Sequence, residues 1–205
     1  VDWDQVWLCV SSTAVRGEWL EDFLEAIGET TLVSIQPGLG DREFLEEKYP
    51  ASQLVSVRVS LIAYPTPLPG EDLPEGEIAY YMPPGERIWV GGGESGRAER
   101  VAEALDLGGC PSGVRDDVRA FAMFNGALLE TAVAGLELAD WSLETFRKSS
   151  AFDLANAAGG EAIDIVADYY DTAPPFSIRL GSKSPVMRMG LPFATMVMPF
   201  DLEAY

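Results

Sequence analysis

This chain of 205 residues encodes an α/β part followed by an all-α part, and three observations say so. Two apolar runs of strand length, residues 4–10 and 31–35, each lead at once into a helical pattern, which argues for a parallel sheet. A further strand, glycine turn and helix recur in residues 87–105, RIWVGGGESGRAERVAEAL. Past residue 113 the β pattern stops and apolar residues recur at three, four and seven positions. The domains expected are therefore 1–113 and 114–205.

In order, DQVWLCV is a continuous apolar run of the parallel-strand type, ended by Ser11, Ser12 and Thr13 where a helix cap would stand. Trp19, Leu20, Phe23, Leu24 and Ile27 then fall at helical spacing before Gly28. Leu32, Val33 and Ile35 mark a buried strand that breaks on Pro37, Gly38 and Gly40, and a short helix over 43–49 ends at Pro50. Residues 54–63, 77–81 and 87–90 are β-rich around the loop PTPLPGEDLPEG and read as meander strands at the sheet edge. Val114, Val118, Phe121, Leu128, Leu129, Ala132 and Leu136 predict one helix of about 24 residues with an apolar stripe. Helices follow over 142–158 and 161–170, closed by Pro174 and Pro175. Met187, Met189, Phe193, Met196, Met198 and Phe200 belong to a packed helical tail.

The chain is 47% hydrophobic, enough to bury a core. A formal charge of −19 repels phosphate backbones and anionic membranes, so nucleic acid and membrane are not expected partners. With no histidine, the chain lacks the commonest general base and metal ligand, and a Ser-His-Asp triad is excluded. No metal site is expected. Cys9 and Cys110 lie in or beside apolar stretches and suit buried free thiols in a reducing, cytoplasmic setting. No apolar run reaches the roughly 18 residues of a membrane span, and no signal peptide is visible. The chain starts at Val1, already one step from its first strand, so more chain is expected before it.

In an open α/β sheet, a turn at the carboxyl end of a strand opens into the crevice where ligands bind, which makes residues 31–40, TLVSIQPGLG, the first place to look for function. The segment GGGESG at 91–96 fits G-x-G-x-x-G, after a strand and before a helix. Two features make it a decoy. Glu94 would put a carboxylate where phosphates should sit, and Asp116, at the distance of the ribose-binding acid, belongs to the long helix. Asn125 stands on the apolar stripe of that helix, where an amide needs a hydrogen-bond partner, either a neighbouring backbone group or a ligand. Glu161, Asp164, Asp168 and Asp171 share one helical face. In so acidic a chain they read as a solvated face, not a cation site.

The order of these signals resembles the ketopantoate reductase (2-dehydropantoate 2-reductase) family, entered partway through its nucleotide-binding domain. That family's V-K-a turn is matched by Val10-Ser11-Ser12 and its Q-N-G-L-G turn by Gln36-Pro37-Gly38-Leu39-Gly40. Its i-G-e-x-x-G strand is matched by residues 90–96, and its W-x-K-L-x-x-N helix by residues 119–125. The likeness covers roughly residues 4–137. It implies the later strands of a Rossmann-like sheet followed by a helical domain of the 6-phosphogluconate-dehydrogenase C-terminal type. It also implies NADPH-dependent reduction of a small 2-keto acid. Ser11, Ser12, Gln36, Pro37, Gly38 and Gly40 would hold NADP, and Asn125 would bind substrate. A homodimer is an assembly the resemblance leaves open.

Three positions depart from the pattern. The helix lysine is Phe121, the lysine of the first turn is Ser11, and the asparagine of the second turn is Pro37. Phenylalanine neither donates a proton nor stabilises an oxyanion, so the family's chemistry needs another group here. Arg119, the nearest cation in sequence, is about 200° around the helix from Phe121. Glu203 stands near the distance of the family's acidic substrate residue but lacks its surrounding motif. The alternative is a catalytically degenerate protein that binds a nucleotide or metabolite. The residues that contact the dinucleotide phosphates in the family would precede Val1, which would also leave the first strand as an exposed edge.

Overall fold

The computed structural model describes residues 3–183, 185–190, 198, 199 and 203. It divides into two compact units, Val1–Ser60 with Gly85–Ala122, and Leu61–Pro84 with Met123–Tyr205.

In the first unit, strands β1 (Gln5–Leu8), β2 (Thr31–Ser34) and β3 (Leu54–Arg58) run parallel. Next to β3, strand β6 (Ile88–Gly92) is antiparallel, and β7 (Ser112–Val114) runs parallel to β6, giving the order β1-β2-β3-β6-β7. β3 and β6 are thus central strands, not edge meanders. Leu54, Val55 and Val90 are all fully buried, which only an interior position allows. β1 lies at one end of the sheet. The missing-partner signal for β7 is its brevity: three residues carry no alternation to read.

The crossovers are helices α1 (Ser12–Val15) and α2 (Trp19–Ile27) between β1 and β2, α3 (Asp41–Glu46) between β2 and β3, and α4 (Arg97–Leu107) between β6 and β7. α2 buries Leu20 and Leu24 and ends at Gly28, whose φ of 57° stops the helix. One core cluster joins Leu8, Val15, Leu20, Leu24, Leu32, Leu45, Tyr49 and Leu54. The Tyr49 hydroxyl is within hydrogen-bond distance of the Gly28 and Thr30 carbonyls, at 2.7 and 2.5 Å, which satisfies it at that core's margin.

In the second unit, β4 (Ile62–Pro65) and β5 (Ile78–Tyr81) form a separate antiparallel hairpin. Helix α5 (Val118–Glu137) starts in the first unit and ends in the second. It is followed by α6 (Leu143–Lys148), α7 (Ser150–Tyr170) and α8 (Phe176–Gly181). α7 runs unbroken through Gly159 and Gly160, where the sequence suggests a break. Gly159 is buried, and a Cβ there would come within 3.0 Å of Thr131 Oγ1, so the glycine serves close helix packing. Phe146 and Phe152 meet at a tilt of 55° with ring centres 5.4 Å apart, in a core with Ala139 and Ala155, and Met187 packs against it. Phe193, Met196 and Phe200 lie outside the described residues. No described helix is long and apolar enough to cross a membrane.

Candidate functional site

The carboxyl ends of β1 and β2 lie side by side, and their turns are joined by two polar clamps. The first is Gln36: its Nε2 donates to the carbonyls of Leu8 at 2.8 Å and Val10 at 2.7 Å, while its Oε1 accepts from Ser34 Oγ at 2.7 Å. The side chain following β2 thereby replaces the ladder where β1 ends.

The second clamp is Asp41, 2% exposed, the first residue of α3. It accepts from Ser12 Oγ at 2.5 Å, from Arg16 Nη1 at 2.6 Å and from the Gly38 N–H at 2.9 Å. Burial pushes the Asp41 carboxyl up. The bonds from Ser12 and Arg16, the Arg16 charge and the Gly38 amide together outweigh that and hold it below the usual carboxylate range. A Cβ on Gly38 would lie 2.3 Å from Asp41 Oδ2. Gly40 has a φ of 80° and turns the chain into α3. Sequence reading singled out Ser12, Gly38 and Gly40 but missed Asp41 and Arg16, whose partners are up to 29 residues away.

Most of the polar groups in the six candidate cofactor residues are thus used within the protein. Ser12, Gln36 and the Gly38 amide build the clamps, and Pro37 has no N–H. Ser11 Oγ accepts from Ala14 N at 3.2 Å as the cap of α1. What faces solvent is the shelf of Cys9, Val10, Ser11, Pro37 and Leu39. Cys9 is accordingly an exposed thiol, not a buried one.

The decoy glycines at 91–96 are occupied by the chain itself. A Cβ on Gly91 would meet Arg115 O at 2.4 Å, and one on Gly93 would meet Val55 Cγ2 at 3.0 Å. The Glu94 amide donates to Ser52 O at 2.7 Å. This turn also leaves the sheet at the opposite end from residues 36–40, because β6 is reversed.

A second constellation surrounds Phe121. The Arg115 guanidinium carbon lies 4.0 Å from the centre of that ring and 5.3 Å from Trp89, and that of Arg58 lies 5.1 Å from Phe121. Trp89 and Phe121 meet edge to face at 6.4 Å. Arg58 ends β3, directly opposite Trp89 of β6, at the end of the sheet that carries the β1 and β2 turns, whereas Arg115 follows β7 and has its carbonyl beside Gly91. Arg115 forks onto Asp117 at 2.5 and 2.8 Å, and Arg58 Nη1 reaches Ser60 Oγ at 2.6 Å and Glu86 at 3.3 Å. The Arg115 hydrogen bond is the main reason the Asp117 carboxyl sits below its usual range; burial opposes it and the Arg115 charge adds to it. Arg58 and Arg115 thus both place positive charge on the Phe121 ring. Arg119, nearest in sequence, pairs with Glu43.

Asn125 is half-buried one turn farther along α5. Glu203 accepts from the Leu143 amide at 2.6 Å. Glu161, Asp164, Asp168 and Asp171 are all exposed, and no cluster among the described residues is arranged to hold a metal.

No protein-family model and no curated protein matches this chain. Solved structures do. A 2-dehydropantoate 2-reductase from Methylococcus capsulatus superposes with a TM-score of 0.66 at 17% identity, over 100% of this chain and 66% of that one. This is the ketopantoate reductase fold. A PanE/ApbA family ketopantoate reductase from Ralstonia eutropha JMP134 gives 0.64 at 16% identity, over 91% of this chain and 57% of its own. A D-mandelate dehydrogenase solved with NADH gives 0.64 at 14%, over 100% and 63%. The chain spans about three fifths of the length of these reductase-fold enzymes.

Proposed function

We propose that this chain is part of an oxidoreductase that uses a nicotinamide cofactor, NADP(H), to interconvert a small 2-keto acid and its 2-hydroxy acid. The observation that carries the reading is the reductase fold along the whole chain, with a rigid, solvent-facing shelf at the carboxyl ends of two adjacent parallel strands. One such neighbour was solved with NADH and anilino(oxo)acetate together, a cofactor and a 2-oxo compound.

The exposed shelf of Ser11, Pro37 and Leu39 fits the approach of a flat ring. The Gln36 and Asp41 clamps would keep it rigid for that purpose. The turn at 91–96 does not fit a pyrophosphate, since the chain's own atoms fill it. When bound, the cofactor would supply hydride chemistry. The protein's part would be to orient the substrate, with Asn125 as one contact, and to set positive charge near the developing alkoxide.

A second reading, a catalytically retired binder of a nucleotide or metabolite, is favoured by Phe121, which has no proton to give. Titrating the full-length protein with NADPH and NADH while following nicotinamide fluorescence, then screening 2-keto acids for turnover, separates the two. Gly38 is the wrong position for a blocking variant, because bulk there strikes Asp41. Pro37→Trp adds bulk on the exposed shelf and should weaken the cofactor at least about tenfold while the melting temperature holds. Binding without turnover of any 2-keto acid selects the second reading. An absence of binding up to millimolar cofactor removes the first reading and leaves the second only for a ligand other than a nicotinamide nucleotide.

A further inference from the structure

We propose that Arg58 and Arg115 form an anion subsite that takes the carboxylate of the small acid substrate. This rests on the reading above for the substrate class, though the subsite itself is argued from local geometry.

Guanidinium is the side chain suited to carboxylate, because its planar fork matches two oxygens. Both groups lie against the Phe121 ring, Arg115 also against Trp89, and their side chains are only 17% and 27% exposed. An arginine held on an aromatic face has already lost much of its rotamer freedom, so less is lost when an anion arrives. Neither fork is spent. Arg58 donates through Nη1 alone and Arg115 through Nε and Nη2, so Nε and Nη2 of Arg58 and Nη1 of Arg115 make no hydrogen bond among the described residues.

The partners are also weaker holders than the cations are cations. Glu86 and Asp117 are 45% and 54% exposed, and the Arg58–Glu86 contact is long at 3.3 Å. Exposed ion pairs contribute little, so a better-placed carboxylate can displace or share them. In a chain of net charge −19, two cations on one ring form a local attractor for a small anion. A substrate carboxylate there would also leave its adjacent carbonyl oxygen within the same positive field, which partly replaces the lost lysine.

The test is calorimetric titration of the full-length protein with oxamate, an unreactive 2-oxo acid analogue, against uncharged oxamide, with and without NADPH. Oxamate should bind and oxamide should not. Arg58→Gln and Arg115→Gln should each weaken oxamate at least about tenfold, the scale of one charge-assisted hydrogen bond. NADPH affinity should not change. Glu86→Gln and Asp117→Asn remove competing carboxylates and should tighten oxamate several-fold, a gain that misfolding cannot imitate. Oxamate binding that ignores both arginine variants overturns the subsite, as does the absence of oxamate binding whether or not NADPH binds. Arginine-dependent oxamate binding in a protein that does not bind NADPH supports the subsite and removes the reductase reading.

Discussion

At Gly38 the absent side chain leaves room for the carboxylate of Asp41, whereas at Gly91 it leaves room for the chain itself, the Arg115 carbonyl and Val118. Both turns are glycine-containing segments that the sequence offers as candidate ligand loops, and at both glycines the space is taken by the protein. The difference lies in what takes it. The 36–40 turn is braced from behind by a side chain and keeps an outer surface. The 91–96 turn is packed against backbone and sits at the other end of the sheet, because β6 runs antiparallel to β3. A glycine pattern thus reports close approach without saying what approaches.

The contrast can be broken most sharply at Gly91. Gly91→Ala should cost about 3 kcal/mol of stability in chemical denaturation, since the carbonyl and β-branched side chain it meets cannot swing aside. Asp41→Ala should cost about 2 kcal/mol, leaving Ser12 and the Gly38 amide without their acceptor. The double variant Gly38→Ala with Asp41→Ala sharpens the comparison. Removing the carboxylate vacates the space the new methyl needs, so the pair should be less destabilised than the separate effects predict, by about 1 kcal/mol. No such relief is available at Gly91.

The smallest expected effect is on acid stability. Because the Asp41 carboxyl titrates below its unfolded value near 3.8, its contribution is fully present above that pH and is lost as pH falls through the lower native value. Asp41→Asn should therefore be less stable than the parent at neutral pH, and the gap should close in thermal melts as the pH falls below 3.8. A gap that is constant with pH would show that the carboxylate's charge does not brace the turn.

How much of this was legible follows from the range of each interaction. β1, β2, α2 and α4 show themselves through apolar runs, caps and glycine stops that are local. β3 and β6 were legible as strands but not as central ones, because their position depends on pairing between residues such as Val55 and Gly92. Gly159 looked like a helix breaker because its contact, Thr131, is on another helix. At the candidate site, Gln36 and Ser12 stood out by motif, but their tasks as clamps depend on carbonyls and a carboxylate 26 to 29 residues away. Arg58 and Arg115 gave no sequence signal, since Arg58 is far in sequence from the Phe121 ring they share and Arg115 stands in the turn before the helix that carries it.

The hairpin of β4 and β5 has a consequence for how the chain assembles. β3 ends at Arg58 and must meet Trp89 of β6 across an intervening stretch, within which Ile62 pairs with Tyr81. If the hairpin zips first, it removes most of the slack between the two central strands. Shortening a loop about threefold lowers its closure entropy by about 1 kcal/mol, so the hairpin would speed the pairing that unites the parallel and reversed halves of the sheet.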